Sequence, residues 1–222
     1  MKKTFALFVL SFTLASVMCY AQQNSATYDS GVVINGVRWA TRNVDAPGTF
    51  AATPESTGML YQWNRRVGWA STGEVTDWDD SMPAGITWER TNDPCPPGWR
   101  VPTRVELERL ADTSNTWTTR NGVNGSLFGT APNQLFLPAG YRFHNGELLV
   151  NSGGIWSSTP SLITPQLINR DRAVYLFLNS TTRARISGLF RNTAFPIRCV
   201  AEDTNVQERE RDLLDDLLDM FL

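Results

Sequence analysis

Apolar and polar positions from Gly31 to Val44, "GVVINGVRWATRNV", place Val33, Val37 and Trp39 around Asn35-Gly36. That dipeptide between apolar flanks predicts a β-hairpin, because both turn residues tolerate the left-handed backbone it needs. From Asp45 to Pro94 no period is clear, and Gly, Pro, Ser, Thr and Trp dominate. Long structured loops are expected there, since the tryptophans bring the apolar area that disordered segments lack. The run "TRVE" then puts Thr103 three residues ahead of Glu106, the spacing of a reciprocal capping box. With Val105, Leu107 and Leu110 as apolar positions, it predicts a helix over Arg104–Ala111. After it, "NQLFLPAGYRF", "ELLVNSGGIWSST", "AVYLFLNS" and "AFPIRCVAED" are short β-rich runs broken by Gly, Pro and Asn. One helix followed by several short strands predicts an α+β domain with an antiparallel sheet.

The pattern changes at the end. In "NVQERERDLLDDLLDMFL", from Asn205, Leu213, Leu214, Leu217, Leu218 and Phe221 recur at helical spacing, opposite Asp212, Asp215, Asp216 and Asp219. An amphipathic helical tail is expected over 204–222. It either packs on its own domain or serves self-association or partner docking.

The start has the layout of a secretory leader. Lys2 and Lys3 precede an uncharged apolar run from Phe5 to Met18, and small residues lead to Gln22. Cleavage after Ala21 is expected, which makes 1–21 a signal peptide, 22–30 a short N-terminal segment and 31–203 the domain. The competing reading makes Cys19 a lipid-modified cysteine, the only route to a membrane in the chain. Met18 and Ser16 fit that pattern poorly.

Losing the leader leaves 201 residues with 18 basic against 22 acidic side chains, every cation an arginine. Mixed charge with a small acidic excess argues against nucleic acid or an anionic membrane as partner. Arginine's forked donors suit it to knitting irregular loops together. Of three cysteines, Cys95 and Cys199 remain after the leader, and an even pair in an oxidising compartment is expected to form a disulfide.

Taken in order, "GVRWATRNV", "GMLYQWN", "DPCPPGWRVPTRVELERL", "LFLPAGYRF", "GGIWSST" and "FPIRCV" resemble the Fibrobacter succinogenes major paralogous domain, over roughly Gly31 to Ala201. The resemblance implies a loop-rich, C-type-lectin-like or sulfatase-modifying-factor-like α+β domain, found in secreted and surface proteins, with its two cysteines paired. Leu107 departs from the tryptophan usual at that position. The family implies no agreed activity, so the site must be read from the residues.

Enzyme chemistry has little to work with. His144, the sole histidine, sits beside an Asn145-Gly146 turn signal and reads as an exposed hairpin residue rather than a base. A bridge would use the cysteines that a sulfatase-modifying-factor-like activity needs. No cofactor is expected, with calcium as the one exception. Asp77, Asp79 and Asp80 form the densest carboxylate group and supply oxygen ligands of the kind calcium takes. Tryptophan is the stronger signal. Trp39, Trp63, Trp99 and Trp156 lie in the motifs and read as core, whereas Trp69, Trp78, Trp88 and Trp117 lie in loop-like sequence. Between Trp69 and Trp88, three indoles meet four carboxylates, counting Glu74. Indoles stack on sugar rings and carboxylates accept from hydroxyls, so a ligand site is expected at Trp69, Asp77, Trp78, Asp79, Asp80 and Trp88, with Trp78 the most exposed. The chain reads as a secreted or cell-surface, non-catalytic module binding a glycan or a partner protein, with the periplasm also open. The alternative is an assembly subunit of a surface fibre, docking through its tail.

Overall fold

The computed structural model describes residues 26–164 and 167–202. Asn35 and Gly36 take positive φ (47° and 77°), and they join β1 (Val32–Ile34) to β2 (Val37–Trp39) as the turn signal requires. Val33 faces solvent; Ile34, Val37 and Trp39 supply the buried side. The hairpin continues through β15 (Val200–Ala201) to β5 (Trp99–Arg100), giving a four-stranded antiparallel sheet.

The helix falls where expected. α1 spans Arg104–Ala111, Thr103 Oγ1 accepts from the Glu106 amide, and the Glu106 carboxylate accepts from the Thr103 amide. Leu107 and Leu110 are its buried positions. Glu106 also takes both arms of Arg100, at 2.6 and 2.9 Å. Burial works against that carboxyl's charge, but the Arg100 and Thr103 bonds outweigh it and hold its pKa below the ordinary value.

Strands dominate the rest. β6 (Asn115–Arg120), β7 (Val123–Thr130) and β8 (Asn133–Pro138) form a meander, and β11 (Ser152–Thr164), β12 (Leu167–Asn179) and β13 (Arg185–Phe190) form another. Short strands build the remaining sheet, in the order β10 (Leu148–Leu149), β9 (Tyr141–Arg142), β14 (Ala194–Pro196), β3 (Leu60–Gln62), β4 (Gly68–Trp69). β12 sits between two cores because a strand's side chains alternate faces. Leu176 and Leu178 join Trp39, Leu107, Leu110, Phe128 and Leu137 in one core. Ala173 and Tyr175 join Tyr61, Trp63, Trp156, Phe195 and the cysteines in the other.

These observations correct the expected α+β layout. Among the described residues the protein is mostly antiparallel β, with α1 as its one complete α-helix. Two 13-residue strands and the β6–β7 pair occupy sequence that showed little alternation. The expected signal peptide over 1–21, with Cys19, and the helical tail over 204–222 lie outside the described residues. No helix among the described residues is long and apolar enough to cross a membrane.

Cys95 and Cys199 are bonded, tying the loop before β5 to the strand region after β14. Asp93 shapes that loop: one carboxylate oxygen accepts from the Cys95 amide at 2.8 Å and the other from the Val101 amide at 3.0 Å. The buried arginines do knit the chain together. Arg198, fully buried, donates to Asn43 Oδ1, Ala40 O and Phe136 O; burial pushes its pKa down to about 9, so it stays charged at neutral pH.

Candidate functional site

The long segment after β4 is held at many points, as the polar groups of a folded loop require. Gln62, in β3, donates to the carbonyls of Asp79 (2.6 Å) and Asn192 (2.8 Å). Asn64 donates to Ala84 O at 3.1 Å and accepts from the Glu89 amide at 2.7 Å. Arg191 reaches Gly85 O at 2.7 Å while its guanidinium lies 4.3 Å from the Trp63 ring centre. Asn192 donates to Asp80 O at 2.8 Å. The largest clamp is Arg142 in β9, 1% exposed, which donates to the carbonyls of Ala70, Thr72, Gly73 and Gly146. Burial lowers its pKa, and those four carbonyls stand in for the water it has lost.

The clamps present a row of half-buried rings. Trp69 and Trp78 lie with ring centres 4.7 Å apart, tilted by 45°. The Trp78 indole N–H donates to His144 O at 2.9 Å, on the turn after β9. Trp78 also lies against Gly146, where a Cβ would stand 3.1 Å from Trp78 Cγ. The His144 ring packs 4.3 Å from Phe143 and meets Phe190, at the end of β13, edge-on at 5.8 Å. The Arg172 guanidinium covers Phe190 at 4.5 Å. The result is an aromatic ledge built from the post-β4 loop, the β9–β10 turn and the end of β13.

Of the residues expected at a ligand site, Trp69 and Trp78 join the ledge, and exposed Asp77, Asp79 and Asp80 line its loop. Asp77 has φ 57°, which turns the chain just before Trp78. Asp79 bonds Arg65 at 2.5 Å and accepts from the Ser81 hydroxyl at 2.6 Å, and that hydroxyl is the main cause holding its pKa low. Trp88 does not join: it packs edge-on to Trp63, 5.7 Å away, against the second core. Trp78 is half-buried, as are Trp69 and Trp88, and its indole gains a hydrogen bond and the Trp69 ring. Trp117 is half-buried against the first core, and Trp99 is half-buried where a core position was expected. Among the described residues, no three His, Cys, Asp or Glu side chains are grouped to hold a metal ion.

Sequence reasoning missed Phe143, His144, Phe190 and Arg172. Only the Phe143-His144 pair beside a turn signal pointed there, and nothing local links position 78 to position 190. No family model, curated protein or solved structure matches the chain.

Proposed function

We propose that the chain is an exported, non-catalytic binding module that holds a glycan on the ledge of Trp69, Trp78, His144 and Phe190. The observation that carries this reading is that Arg142 ties the loop carrying Trp78 to the turn carrying His144, so that half-exposed rings stand in a row before any ligand arrives. A ring already held in place loses little freedom on binding, which favours affinity. Exposed Asp77 and Asp80 beside the row supply acceptors for sugar hydroxyls. The bridge between Cys95 and Cys199 leaves neither as a thiol nucleophile, which supports a role without catalysis. The resemblance of its motif order to the Fibrobacter succinogenes major paralogous domain supports a place at the cell exterior.

A glycan array tests the proposal. The parent is expected to retain a defined set of glycans, with Trp78→Ala and Phe190→Ala each weakening them at least tenfold. No retained glycan, or undiminished binding by both variants, overturns it, and a protein captured in the glycan's place would point to the partner reading.

A further inference from the structure

The ledge leaves a separate surface unexplained. A hollow of about 550 Å³ lies between the chain after β3 and the far arm of the loop, lined by Arg65, Arg66, Val67, Met82, Pro83 and Glu89. Val67 is 63% and Met82 39% exposed, and Ile86, nearby in the same arm, is 48% exposed. Arg66 also lines a second hollow of about 250 Å³, with Arg90, Asp93 and Glu202. The two hollows therefore adjoin, and Glu202 is the last described residue. Its carboxylate pairs with Arg90 at 2.6 Å and its amide donates to Gly98 O at 2.9 Å. The chain is thus anchored at one end of a mixed track, in which Val67, Met82, Pro83 and Trp99 alternate with arginines and acids.

The C-terminal segment has the composition to match that track. Residues 205–222 carry Leu213, Leu214, Leu217, Leu218 and Phe221, and after Arg211 the only charged side chains are four aspartates. Ten residues lie between Glu202 and Leu213, enough for about 35 Å of extended chain. Glu89 is the acid on the larger hollow's wall, and the segment also brings Arg209 and Arg211. We infer that segment 205–222 seats its leucines on Val67 and Met82 of the same chain, with its aspartates toward Arg66 and Arg90. Tethering makes this contact intramolecular, so modest affinity is enough to keep the groove covered.

Chains from Gln22 to Leu222 and from Gln22 to Thr204 test the inference; the shorter one keeps both cores and the disulfide. Amides of 82–92 are expected to exchange several-fold more slowly in the longer chain. A peptide of residues 205–222 is expected to bind the shorter chain one to one. Arg66→Glu or Val67→Asp in the domain weakens it at least tenfold, and so does the Leu217→Asp, Leu218→Asp pair in the peptide, which leaves the domain untouched. Equal exchange in the two chains overturns the inference, as does a peptide that fails to bind or ignores these changes. Protection that disappears on dilution, together with a dimeric elution volume, places the segment on a second copy and overturns it as well.

Discussion

Arg142 donates to the carbonyl oxygen of Gly73 at 2.7 Å, across 69 residues of sequence. With the bonds to Ala70, Thr72 and Gly146, this one side chain ties the post-β4 loop to the β9–β10 turn. Arg142→Ala removes the donor from four carbonyls, that of Gly146 buried, and leaves a cavity where the side chain lay, so it is expected to cost about 2–4 kcal/mol in denaturant unfolding. Arg142→Lys, with three donors on one nitrogen, recovers only part of this. A loss under about 0.5 kcal/mol for Arg142→Ala would show that the loop is held elsewhere.

The disulfide closes a loop with a sequence separation of 104. In the chain-entropy account a loop of that length contributes about 4–5 kcal/mol, through the freedom it removes from the unfolded chain. Denaturant midpoints with and without reductant should therefore separate widely. The double variant Cys95→Ser, Cys199→Ser should match the reduced parent.

Glu106 gives a pH dependence with a definite sign. Its folded pKa lies below its unfolded value, so its contribution is present above the unfolded pKa and is lost as pH falls through the folded one. Stability should fall as the solution is acidified from about pH 5. Glu106→Gln should flatten that slope while lowering stability at neutral pH. Thr103→Ala, which removes the cap acceptor and one of the bonds that lower the Glu106 pKa, should cost about 1 kcal/mol at neutral pH and less once Glu106 is protonated.

Gly146 separates ring placement from ring chemistry. It has φ +83°, and a Cβ there would press on Trp78. Gly146→Ala should shift Trp78 and weaken glycan binding even though every ledge residue is retained. Gly122, which has φ +79° and no atom within 4 Å of an added Cβ, is a control that carries backbone strain alone.

These elements differ in how far the sequence announced them. The β1–β2 hairpin and α1 were legible because their signals are local: an Asn-Gly pair, and a Thr-to-Glu spacing of three. The Cys95–Cys199 bond was legible by elimination, through the compartment. β6 and β7 were not. "NTWTTR" and "VNGSLFGT" lack a clean alternation and acquire their strand form by pairing with each other across Asn121-Gly122, a turn signal of the kind recognised in β1–β2. The site was half legible. Trp69 and Trp78 stand close enough in sequence to suggest each other, whereas His144 and Phe190 reach Trp78 only through the pairing of β9 with β14 and the end of β13. Trp88 was misplaced because tryptophan content alone does not separate a ring on a ledge from one packed on Trp63.

The most direct measurement follows the indole N–H resonances of the nitrogen-15-labelled chain during titration with a glycan retained on the array. Trp78 donates to His144 O beneath the ledge, and Trp69 lies beside it. Trp39 and Trp156 are fully buried in the two cores. The resonances of Trp69 and Trp78 should move progressively and saturate together, while those of Trp39 and Trp156 stay still. Saturating binding that leaves Trp69 and Trp78 unmoved would place the ligand elsewhere and contradict the ledge as the binding site.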